Sequence, residues 1–157
     1  MTDAIGVTIL GSTGSIGSQA LNVIASHQER FRVLGLAAGG SNVELLANQV
    51  LQFRPEVVAV ASEPQLDDLT LLASATETAC AELVVGPEAP PTLSGLFPDA
   101  TVLNGITGGV GLRATLTALE SGATVALANK ESLVVGGDLV RRAMQRPAQI
   151  VPVDSEH

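Results

Sequence analysis

Short, uninterrupted apolar runs recur along the chain, each followed by a stretch of helical spacing and a Gly, Pro or Asn break. A strand that is apolar at every position has to be covered on both faces, and a parallel sheet between two helical layers provides that cover. Runs at 7–10, 32–37, 57–61, 101–103, 124–128 and 149–153 are the predicted strands, with a weaker one at 83–85. Helices are predicted at 15–26, 43–53, 65–73, 110–120 and 131–145, with Asn42 as an N-cap and Gly122 as a C-terminal stop. Gly136 and Gly137 weaken the continuity of the last helix, and segment 86–91, Gly-Pro-Glu-Ala-Pro-Pro, reads as a loop. With 157 residues, 46% of them hydrophobic, and no internal repeat, the chain suits one layered unit. The predicted class is α/β: a doubly wound, mostly parallel sheet with helices on both faces.

The charge and residue usage remove several classes of partner. A net charge of −8 repels a phosphate backbone, and Phe31, Phe53 and Phe97 are the only aromatic residues, so no nucleic acid partner is expected. Cys80 is the single cysteine, which rules out an intrachain disulfide and fits a reducing compartment. The start, Met1-Thr2-Asp3-Ala4, carries no basic region, and no apolar run approaches the ~18 residues of a membrane span. A cytoplasmic location without membrane contact is expected.

Gly11-Ser12-Thr13-Gly14-Ser15-Ile16-Gly17 joins the first predicted strand to the first helix, the setting in which a glycine-rich turn accepts a dinucleotide pyrophosphate. The spacing is GxxGxxG, which also serves as a plain tight turn; the strand, helix and second strand around it favour a Rossmann-like, dinucleotide-binding reading. The second strand ends in Ala38-Gly39-Gly40-Ser41-Asn42, without the carboxylate that grips the ribose hydroxyl in NAD-preferring domains. Backbone N–H groups with Ser41 and Asn42 suit the 2′-phosphate of NADPH instead, although the loop also reads as a helix cap and holds no basic clamp.

Three further segments follow predicted strands. Asn104-Gly105-Ile106-Thr107-Gly108-Gly109 would let the chain pass close to a flat cofactor, and Asn-Gly also makes hairpin turns. Asn129-Lys130-Glu131-Ser132 groups an amide, a cation and an anion; Lys130 is the sole lysine, and the bland alternative is a first-turn acid beside a solvated base. Asp154-Ser155-Glu156-His157 puts two carboxylates at i and i+2 of an extended segment, on one face, as a hard divalent ion requires, or else in solvent. In a parallel sheet all these loops converge on one edge. His27, near the end of the first helix, is given no catalytic role.

The motifs GSTGSIG, LAAGGSN, LANKESLV and PVDSEH, in this order and spacing, make the chain resemble the 1-deoxy-D-xylulose 5-phosphate reductoisomerase family over essentially its whole length. The resemblance implies an NADPH-dependent enzyme of the non-mevalonate isoprenoid pathway. Such an enzyme rearranges its phosphorylated sugar substrate and reduces the product to 2-C-methyl-D-erythritol 4-phosphate with a divalent Mg²⁺, Mn²⁺ or Co²⁺ ion. It implies NADPH on Thr13, Gly14, Ser15 and Ile16, on Gly39, Gly40, Ser41 and Asn42, and on Asn129 and Glu131. Lys130 and Ser155 would touch the substrate, and Asp154 and Glu156 would hold the metal. The domain division implied is 1–153 for NADPH binding, with 154–157 as the first residues of a metal-binding catalytic domain.

Two departures from the family pattern bear on these expectations. Many relatives have a lysine in the second-strand loop where this chain has Gly40-Ser41. The chain also stops at His157, ahead of the third metal carboxylate, the substrate-covering loop and the C-terminal helical domain of the family. The 157 residues alone are therefore expected to bind cofactor without catalysis and to self-associate, whereas the family implies a homodimer. The competing readings are an aspartate-semialdehyde or homoserine dehydrogenase-like NADPH domain, and a free-standing NADPH-binding regulatory module.

Overall fold

The computed structural model describes residues 3–128 and 130–153, and of Lys130 and Ser132 the backbone alone. Strands β1 (Ile5–Leu10), β2 (Phe31–Ala38), β3 (Val57–Val60), β4 (Glu82–Val85), β5 (Thr101–Asn104), β6 (Thr124–Leu127) and β7 (Ile150–Pro152) form one sheet in the order β4-β3-β2-β1-β5-β6-β7. Every neighbouring pair is parallel. The helices between them are α1 (Ser15–Ala25), α2 (Val43–Phe53), α3 (Leu66–Ala79), α4 (Ala89–Ser94), α5 (Gly108–Ser121) and α6 (Lys130–Ala143).

Alternation along the central strands divides the core in two. Val7 and Ile9 of β1, with Val58 and Val60 of β3, pack against Leu21, Leu46, Val50 and Leu72 of α1, α2 and α3. Leu10, Val57, Ala59, Val102 and Val125 point the other way, to Leu93, Ala114, Leu119 and Val140 of α4, α5 and α6. Both layers bury side chains to near-zero exposure, which is why the strands read as continuous apolar runs. Among the described residues no helix is long and apolar enough to cross a membrane.

The expected capping is present. The Asn42 side-chain oxygen accepts the Leu45 N–H at 3.1 Å to start α2, and Gly122, at φ 99°, closes α5 in the left-handed region. Gly136 departs from helical geometry and kinks α6.

Two expectations are corrected. Segment 86–91 is not wholly loop: α4 begins at Ala89, inside it, with proline in its first turn. Proline costs nothing there because those N–H groups have no intrahelical acceptor, and Ala89, Pro90, Pro91 and Leu93 are all buried. Helix α3 continues to Ala79, past the expected end at 73, because Ala75 and Ala79 add a further buried turn.

Chain order sends β2 to one side of β1 and β5 to the other, so the topological switch lies between β1 and β5. In open parallel sheets a ligand crevice forms at that point, outside the carboxyl ends of the strands.

Candidate functional site

The turn after β1 is built from backbone. Gly11 takes φ 82°, and the Gly11 and Ser12 N–H groups both donate to the Ala37 carbonyl, at 2.8 and 2.9 Å. Gly14 N–H returns to the Gly11 carbonyl at 3.0 Å, and α1 starts one residue later. A Cβ on Gly17 would lie 2.3 Å from the Gly11 carbonyl oxygen and 2.7 Å from Ser12 Cα, so glycine alone lets α1 seat against the turn. Gly14 offers no side-chain cap, which leaves the first N–H groups of α1 directed into the crevice with the positive end of the helix dipole. Gly14, Ser15 and Ile16 are exposed there and Thr13 is half-buried.

The loop after β2 exposes Gly39, Ser41 and Asn42 on the same edge. Gly40 turns at φ 105° against Val60, and the Ser62 hydroxyl and N–H both donate to the Gly39 carbonyl. Asn42 spends its side-chain oxygen on the α2 cap, which leaves its NH₂ directed away from that bond. The loop holds no basic side chain.

The loop after β5 touches the first. Gly105 N–H donates to the Leu10 carbonyl at 3.0 Å, and the two backbones meet at Gly11 and Gly105. Asn104 is fully buried, with its NH₂ donating to the Gly111 carbonyl and Thr115 Oγ1, both at 2.8 Å, while its carbonyl accepts Ile106 N–H at 3.0 Å. The hairpin reading of Asn104-Gly105 is overturned, since β5 and β6 run parallel and are joined through α5.

Helix α6 begins at Lys130, beyond the carboxyl end of β6, and Glu131 is exposed in its first turn. Asn129, the Lys130 side chain, Asp154, Ser155 and Glu156 lie outside the described residues. Strand β7 pairs parallel with β6, so the chain leaves it toward the same edge. Among the described residues no group of three His, Cys, Asp or Glu is placed to hold a metal ion. His27 and Cys80 end α1 and α3 at the opposite edge, where β2 and β4 begin, and neither belongs to the crevice.

Two side-chain contacts fall outside the sequence motifs, the first of them at the turn and the second on the surface. Gln49 of α2 is buried and donates from Nε2 to the Ser12 carbonyl at 2.8 Å, across 37 positions of sequence. Glu88, just before α4, takes a forked pair of bonds from Arg113 of α5, one of them 2.7 Å long. The hydrogen bonds from Arg113 hold the Glu88 carboxyl below its ordinary value, against an opposing desolvation, with the Arg113 charge adding to the lowering.

The family profile described as 1-deoxy-D-xylulose 5-phosphate reductoisomerase matches residues 7–137. A protein of that name from Beutenbergia cavernae is 58% identical over 151 residues, covering 96% of this chain and 38% of its own length. The one from Streptomyces coelicolor is 50% identical over 154 residues, covering 96% of this chain and 36% of its own. Among solved structures, the Zymomonas mobilis reductoisomerase in complex with NADPH superposes with a TM-score of 0.83 at 35% identity, over 100% of this chain and 40% of that one. A DOX-P reductoisomerase in complex with magnesium gives 0.83 at 34% identity, over 98% of this chain and 38% of that one. The chain thus spans well under half the length of these relatives. The match over residues 7–137, with half or more of the residues shared with relatives across this layered unit, shows that the chain belongs to the 1-deoxy-D-xylulose 5-phosphate reductoisomerase family.

Proposed function

We propose that this chain is the cofactor-binding part of an NADPH-dependent reductoisomerase that converts 1-deoxy-D-xylulose 5-phosphate to 2-C-methyl-D-erythritol 4-phosphate. Residues 1–153 form the NADPH-binding domain and 154–157 open the metal-binding catalytic segment. The observation that carries the reading is the turn at 11–17: an uncapped helix start, seated close against the turn because Gly17 tolerates no side chain, leaves donors for a pyrophosphate. The relatives solved with NADPH and with magnesium support it.

In this reading the N–H groups of Thr13, Ser15 and Ile16 hold the pyrophosphate, and Gly14 between them lets it approach the backbone. The backbone of exposed Gly39 and half-buried Gly40 and the side chains of Ser41 and Asn42 take the 2′-phosphate. Asn129 and Glu131 line the cofactor from the far side of the switch point, Lys130 and Ser155 contact the phosphorylated sugar, and Asp154 and Glu156 ligate the divalent ion. NADPH supplies the hydride, and Mg²⁺, Mn²⁺ or Co²⁺ supplies the charge that steadies an oxyanion during rearrangement. The complete protein acts as a cytoplasmic homodimer, and the 157 residues alone bind cofactor without turnover.

Titration with NADPH and with NADH, followed by cofactor fluorescence, tests this directly because the chain has no Trp or Tyr to interfere. Saturable binding tighter for NADPH is expected. A chain folded by circular dichroism that binds neither cofactor sinks the reading.

A further inference from the structure

We propose that Gln49 is a positioning residue for the pyrophosphate turn, tying it through α2 to the loop that receives the 2′-phosphate; this rests on the cofactor reading above. Gln49 lies on the buried face of α2 beside Leu46, Ala47 and Val50, and is 6% exposed. Its Nε2 donates at 2.8 Å to the Ser12 carbonyl, while the Ser12 and Gly11 N–H groups are held from the other side by the Ala37 carbonyl. The Ser12 peptide is thus fixed front and back by residues of β2 and α2. The helix that carries Gln49 begins at Asn42, so one rigid element links both phosphate loops.

Packing alone gives no use for an amide at this position. Gln49 Oε1 is buried without a partner, as is the Ser12 hydroxyl, and a methionine would fill the same space without leaving a buried amide oxygen unpaired. What the amide adds is the bond to Ser12. The peptide it holds leads straight into the turn that aims the first N–H groups of α1. Without Gln49 the Ser12 carbonyl keeps only the longer bond from Ser18 Oγ, at 3.4 Å, so the peptide that leads into the turn is held less firmly and the donors converge less well on one point.

The test uses this chain with Gln49→Met and Gln49→Glu. Dissociation constants are measured for NADPH, NADP⁺, NADH and 2′-AMP, which carries the 2′-phosphate without a diphosphate, alongside thermal melts. The folded Met variant is expected to lose about fivefold to tenfold in affinity for NADPH and NADH alike, the effect of one lost hydrogen bond, and to bind 2′-AMP within about twofold of wild type. The Glu variant can donate to Ser12 only when protonated, so its deficit toward NADP⁺ relative to wild type should shrink between about pH 8 and about pH 6. A folded Met variant that binds both dinucleotides like wild type, whatever its melting temperature, overturns the proposal. So does an equal loss of 2′-AMP, and so does a Glu deficit that ignores pH; this last arm decides the matter if the Met variant does not fold. A wild-type chain that binds no NADPH removes the cofactor reading and this inference together, whereas normal wild-type binding with unaffected variants removes this inference alone.

Discussion

Asn42 carries two tasks that one substitution separates. As N-cap it needs only a side-chain oxygen for Leu45 N–H, and aspartate supplies that while favouring the positive end of α2. As part of the 2′-phosphate loop it presents a neutral NH₂ in a stretch without a basic residue. Asn42→Asp should therefore leave the urea midpoint unchanged, weaken NADPH about tenfold through like-charge repulsion, and leave NADH nearly untouched. Parallel losses for the two cofactors would place the 2′-phosphate elsewhere. Glu88 offers a pH test at the same scale. Its folded value is depressed, so its bond to Arg113 helps the folded state above the ordinary carboxylate value near 4.5 and loses that help as pH falls through the depressed value. Both side chains are exposed, so the measurement is the carboxyl titration by NMR, which should move back up in Arg113→Gln.

Helix α6 shows how an element can be divided by one residue. A Cβ on Gly136 would lie 2.5 Å from Leu112 Cδ1 of α5, whereas one on Gly137 meets nothing within 4 Å. Gly137→Ala should raise stability by about 0.5–1 kcal/mol in urea denaturation, the usual gain for removing glycine from a helix interior. Gly136→Ala must displace Leu112 and forgoes that gain; if both variants stabilise equally, the kink is not set by the contact with α5. The same element shows what sequence could and could not reveal. The paired glycines announced an interruption at 136–137, yet only the contact with Leu112 says which of them the fold requires. The central strands were legible because burial on both faces leaves no polar alternation to misread, and the turn at 11–17 because its glycines stand next to a strand and a helix start. Helix α4 was hidden by prolines that look like breakers and act as first-turn residues. Gln49 was hidden for a different reason: its partner lies 37 positions away and is a backbone carbonyl, which no side-chain motif encodes.

At the scale of the whole molecule, the two ends of the sheet differ in what covers them. The first half of α6 leaves Leu133, Val134 and Val135 exposed, the last two at 83% and 80%, and Leu139 follows on the next turn at 52%. β7 closes the sheet order as a short edge strand, with Val151 exposed on it. Exposed apolar side chains and an edge strand both favour association between copies. Light scattering across a concentration range should therefore show a mass that rises with concentration. Val134→Glu with Val135→Lys replaces exposed β-branched residues by better helix formers, so it should return the chain to monomer without loss of fold if α6 is the contact. Val151→Lys should do so instead if pairing runs through the β7 edge, because a charged edge residue resists strand addition. A wild-type chain that stays monomeric at every concentration would mean that neither feature is enough to hold two copies together.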